Sequence, residues 1–183
     1  MKLYHYVAKG NNVLQQGLLS FSQNPQADLS YYFKRSGETT HAGITQWMEN
    51  CFSGRSRGIR CFSEPIKWHE KSLSLKNFIE NADLFAIDVD SLNKDGLIES
   101  VYVSPSVMGR QDLQKRGCDE VLNKISLPEI DFSPVDWSIC NDEKGWRFAF
   151  IRYYLLIIKG GIIPSRYLSL IKKSEFPEFF QSI

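Results

Sequence analysis

The longest apolar run in this chain, from Tyr153 to Ile158, stops far short of the roughly 20 residues that a bilayer-spanning helix needs. The other apolar stretches are short and carry aromatic and β-branched residues: Lys2 to Ala8 (KLYHYVA), Ile59 to Ser63 (IRCFS), Leu84 to Val89 (LFAIDV) and Ser100 to Ser104 (SVYVS). Runs of this kind suit a pleated, half-buried surface and read as strands. Between them, Thr40 to Phe52 carries Ile44, Trp47, Met48 and Cys51 at helical spacing, and Pro25 to Phe33 and Pro65 to Asn81 also read as helices. Strands and helices interleaved in this way predict a mixed α+β fold. With no repeat, low-complexity stretch or linker in sight, residues 1–183 read as one domain.

Punctuation refines the picture. Asn12 is placed to cap a short helix that Gly17 ends, and Asn93 to Gly96 reads as a turn between two strands. Gly54 to Gly58 is a basic loop. Later, Glu120 to Ile125 reads as a strand and Trp146 to Ile158 as one or two more, closed by Gly160 and Gly161. Arg166 to Lys172 reads as a short strand or helix, with a loosely docked tail behind it.

A formal charge of +1 excludes a strongly cationic surface overall, yet two local basic clusters stand out: Arg55, Arg57 and Arg60, then Arg110, Lys115 and Arg116. Each is either a solvated loop or a phosphate site. The aromatic share is high at 13%, enough both to fill a core and to line a pocket for flat ligands. Four scattered cysteines, with no C-x-x-C pair, and three histidines give no zinc spacing, so free thiols in a reducing cytosol are expected. Met1 and Lys2 lead into a mixed polar strand rather than a signal-peptide core. The expected setting is cytoplasmic, without membrane attachment, including delivery into a host cytosol.

Three segments carry candidate chemistry. The first is Leu3-Tyr4-His5-Tyr6 followed by Gln16-Gly17-Leu18-Leu19-Ser20; the second is Gly58 to Pro65, containing Arg60, Phe62 and Ser63; the third is Lys115-Arg116-Gly117-Cys118-Asp119-Glu120-Val121-Leu122. In this order they resemble ADP-ribosyltransferases of the diphtheria-toxin, PARP and DarT-like branches. The resemblance implies a split, strongly bent β-sheet core with inserted helices, and a mono-ADP-ribosyltransferase of toxin or effector type that takes NAD as substrate without a metal. It implies that His5 anchors a ribose of NAD, with Tyr6 beside it. Ser63 and a ring from Phe62, Tyr31 or Tyr32 would cradle nicotinamide. Because guanidinium groups suit phosphate geometry, Arg60 and the Arg55–Arg57 loop are expected to meet the pyrophosphate or a nucleic-acid acceptor.

A carboxylate is needed as well, because breaking the bond to nicotinamide passes through an oxocarbenium-like state that a negative charge stabilises. The resemblance gives this role to Glu120, with Glu143 as rival. The position two residues before Glu120 is Cys118, not the acidic or amide residue of arginine-modifying relatives, so arginine is not the expected acceptor. The acceptor is a protein or a nucleic acid, and a cognate antitoxin or host target is the expected partner. The YHY opening and CFS strand, with Trp68 and His69 after it, also resemble domains linked to phage abortive infection. An inactive transferase fold serving as an immunity or adaptor module is the alternative. A cysteine hydrolase built on Cys61 and His69 ranks lower, since Cys61 lies in an apolar strand, and no dinucleotide-binding glycine motif or P-loop is present.

Overall fold

A computed structural model describes residues 1–67, 73–104, 122–135 and 152–180. The chain opens with strand β1 (Lys2–Ala8), helix α1 (Val13–Gln16), the two-residue β2 (Leu18–Leu19), then α2 (Ser30–Ser36) and α3 (His41–Cys51). Next come β3 (Gly58–Cys61), α4 (Leu73–Glu80), β4 (Ala82–Asp88), α5 (Val89–Lys94) and β5 (Ile98–Val103). The remaining strands are β6 (Asn123–Ile125), β7 (Tyr154–Ile158), β8 (Ile162–Ile163) and β9 (Leu168–Ile171).

Helices and antiparallel sheets together make this an α+β fold. One sheet runs β1-β4-β9, a second β3-β7-β5-β6, and a short pair joins β2 to β8. The two larger sheets meet at one rung, where the Tyr4 and Phe62 amides each donate to the other's carbonyl at 2.8 Å. The helical segments α1, α2 and α3 all fall between β1 and β3 in the chain.

Alternation along the strands sorts the core. Leu3 of β1 and Phe85 and Ile87 of β4 pack with Ile59, Cys61, Val101, Tyr154, Leu156 and Ile158 of the other sheet. The opposite face of β1 and β4 carries Tyr6, Leu84 and Ala86 into a second cluster with Phe62, Ile66 and Ile79. β4 is thus buried on both faces, which explains why its sequence is nearly continuously apolar.

Several expectations shift. Val89–Lys94 is a helix rather than the lead into a hairpin turn, and β4 and β5 lie in different sheets. Asp88 is the cause: its carboxylate accepts the Ser91 N–H (3.1 Å) and the Ser91 hydroxyl (2.7 Å), which starts a helix whose Val89 and Leu92 are fully buried. The second helix begins at Ser30 rather than Pro25, after Asp28 takes the Ser30 N–H at 2.9 Å. α3 starts where Thr40 accepts the Gly43 N–H at 3.0 Å, one residue inside the expected range. Cys51 is disulfide-bonded, which corrects the expectation of free thiols at that position, whereas Cys61 is free and buried. Among the described residues no helix is long and apolar enough to cross a membrane.

Candidate functional site

Gly17 fixes how the chain enters the site. Its φ of +83° favours glycine, and a Cβ there would lie 2.6 Å from the Ile163 carbonyl oxygen. That close approach seats β2 against β8, burying Leu18 and setting Leu19 and Ser20 on the wall of a cleft. The G-L-L segment therefore has a structural reason of its own.

The cleft, about 420 Å³, lies where β1 meets β3 and is walled by α2 and α3. His5 opens into it because β1 alternates: Leu3 and Val7 share its face and pack on the intersheet core, while Tyr6 points to the other side. The His5 Nδ1 lies 2.6 Å from the Arg60 carbonyl oxygen. A carbonyl can only accept, so Nδ1 carries the proton and Nε2 of the neutral ring is left as an acceptor. Burial holds the imidazole below its ordinary titration range, and the Arg60 guanidinium adds to this against the opposing carbonyl contact.

Three guanidinium groups, Arg35, Arg55 and Arg60, line the cleft with the rings of Tyr32, Trp47 and Tyr153. Arg60 stands over Tyr153 at 4.2 Å from the ring centroid, a cation–π contact that keeps the charge at the wall. Tyr153 is itself held by Ser104, whose Oγ accepts the Tyr153 N–H (2.9 Å) and whose N–H donates to the Tyr153 carbonyl (2.9 Å). On the other wall, Phe21 stacks on His41 (4.7 Å) and meets Tyr32 edge-on (4.9 Å), tying α2 and α3 to the segment after β2. Asp28 is the carboxylate among the described lining residues, at an exposed position. The arrangement suits an anion that carries a flat ring: arginines match phosphate geometry, and rings stack on bases.

The predicted residues divide. His5, Tyr32 and Arg60 come together in the cleft. Tyr6 and Phe62 do not line it; they pack edge-on at 6.2 Å in the second core, where the Tyr6 hydroxyl accepts the Ile66 N–H at 2.8 Å. Ser63 lines a separate recess of about 210 Å³ with Tyr4 and Glu64, and its buried Oγ meets no hydrogen-bond partner among the described residues. Tyr31 belongs to α2, but its side chain lies outside the described set. Glu120, Glu143, His69 and the Arg110–Lys115–Arg116 cluster lie outside the described residues. Of the other basic cluster, Arg57 points away from the cleft into a two-pronged contact with Glu99.

Sequence reasoning missed Arg35, Trp47 and Tyr153. Trp47 sits beside the buried Ile44 and Met48 at helical spacing, which reads as core, and Tyr153 begins the apolar run that leads into β7. Cys61 is a poor nucleophile, since burial pushes its thiol well above the ordinary range. No family model, curated protein or solved structure matches this chain.

Proposed function

We propose that the chain is a mono-ADP-ribosyltransferase that takes NAD into the arginine- and ring-lined cleft and passes ADP-ribose to a macromolecular acceptor. The observation that carries this reading is the position of His5 on the same cleft as Arg35, Arg55 and Arg60: its Nδ1 is engaged by the Arg60 carbonyl, and its Nε2, an acceptor in the neutral ring, has no partner among the described residues. A ribose hydroxyl donates to such a nitrogen, guanidinium groups hold the pyrophosphate, and the rings of Tyr32 or Trp47 offer stacking faces for nicotinamide or adenine. The cleft volume falls within the roughly 300–1,000 Å³ of ligand sites.

In the reaction the bond between the ribose carbon and nicotinamide nitrogen breaks, nicotinamide leaves neutral with the electron pair, and the acceptor forms the new bond and gives up a proton. Glu120 is assigned to stabilise the cationic sugar, with Glu143 as the second candidate.

The test incubates the protein with labelled NAD and a cell lysate and follows the label. Transfer to protein or nucleic acid is expected, and Glu120→Gln is expected to lower it on the order of 10²–10³-fold with the fold intact. Full activity in that variant alongside loss in Glu143→Gln moves the role to Glu143. Absence of both label transfer and thermal protection by NAD overturns the transferase and leaves a binding module.

A further inference from the structure

We infer that Glu49 is a positioning residue that presents Arg55 to the phosphates of the cleft ligand; this rests on the reading of the cleft as a dinucleotide site. Glu49 lies in α3, and its carboxylate reaches forward over the loop before β3. It accepts the Gly54 N–H at 2.7 Å, the Ser56 N–H at 3.2 Å and the Ser56 hydroxyl. Gly54 and Ser56 are buried, so this one carboxylate satisfies both amides and the hydroxyl of a turn that would otherwise leave them unpaired. Burial raises the Glu49 carboxyl, but the Ser56 hydroxyl, the two amides and the Arg57 charge outweigh it, keeping the group ionised below its ordinary range.

The bound turn sends its two arginines apart. Gly54 adopts φ +88°, and a Cβ there would meet Ile157 Cγ2 at 2.8 Å, so the turn is pressed against β7. Arg57 is drawn to Glu99, while Arg55 crosses the Phe52 ring at 5.5 Å and lines the cleft. Phe52 is itself stacked on Tyr102 of β5 at 4.5 Å, so Arg55 lies over a ring that is held in place. Without Glu49 the turn loses the acceptor that fixes its backbone, and the base of Arg55 with it.

The experiment is a double-mutant cycle on ligand affinity, read by titration with NAD and, separately, with inorganic pyrophosphate. Arg55→Ala and Glu49→Ala are each expected to weaken binding about tenfold, the scale of one charge-assisted hydrogen bond. The double variant should be no weaker than either single one, and Glu49→Asp should recover part of the loss while Glu49→Gln recovers less. Circular dichroism and the melting temperature of each variant separate loss of binding from loss of fold. Additive losses in the double variant, or unchanged affinity in a folded Glu49→Ala, overturn the inference. Coupled binding of pyrophosphate without any binding of NAD sinks the NAD assignment and leaves the role of Glu49 standing. Binding of neither probe by the native protein overturns both.

Discussion

The two faces of β1 divide the molecule's tasks. On one face Leu3 is sealed in the intersheet core and His5, two residues on, opens into the cleft. On the other, Tyr6 closes a second core with its hydroxyl committed to the Ile66 amide. The side chains of His5 and Tyr6 thus meet different surroundings, because the period of two sends them to opposite sides of the sheet. The YHY opening is a composite: its histidine lines the cleft, while Tyr6 is committed to packing.

The sharpest way to break this division is Leu3→Ala, which removes a fully buried side chain from the intersheet core. It should cost about 3 kcal/mol in denaturant unfolding, and a loss below about 1 kcal/mol would mean that the core does not depend on this face. Tyr6→Phe removes the acceptor of a buried amide and should cost about 1–2 kcal/mol, with affinity for NAD unchanged. Weakened binding in that variant would put Tyr6 back into the site.

The smallest effect on stability is expected from His5→Gln, less than about 1 kcal/mol at pH 8, but with loss of NAD protection. The native imidazole has its pKa lowered on folding, so its neutral form is favoured and the native protein should lose stability as pH falls through the ordinary value near 6.5. The variant should lack that part of the decline. Superimposable pH–stability curves for the two proteins would show that His5 does not titrate on unfolding as described.

The strands were legible wherever one local signal outweighed the rest. Lys2–Ala8 read correctly, and the expected Leu84 to Val89 overlaps β4 (Ala82–Asp88) while missing its first two residues and taking in Val89 of the following helix, because aromatic and aliphatic residues mark the strand interior more clearly than its ends. Val89–Lys94 misled because Asn93 and Gly96 look like a turn, whereas the deciding contact is Asp88 capping Ser91, and the apolar Val89 and Leu92 needed a buried face. His5 and Arg60 were recoverable from their types and order. Arg35, Trp47 and Tyr153 were not, since a helix residue beside apolar neighbours or the residue just ahead of an apolar strand carries no mark of which neighbour it will meet. The split of Arg55 from Arg57 was equally hidden, as it depends on Glu49 and Glu99, one on either side of the loop in sequence and separated from each other by 50 positions.

The backbone rung between Tyr4 and Phe62 bears on what a ligand could do. His5 is next to that rung on one sheet, its ring already meets the Arg60 carbonyl of the other, and Arg60 is two residues from the rung, so a molecule gripped by both side chains would bridge strands that are already joined there. A ligand there would favour the joined arrangement of the two sheets over any in which they part, and parting of the sheets would in turn weaken its hold.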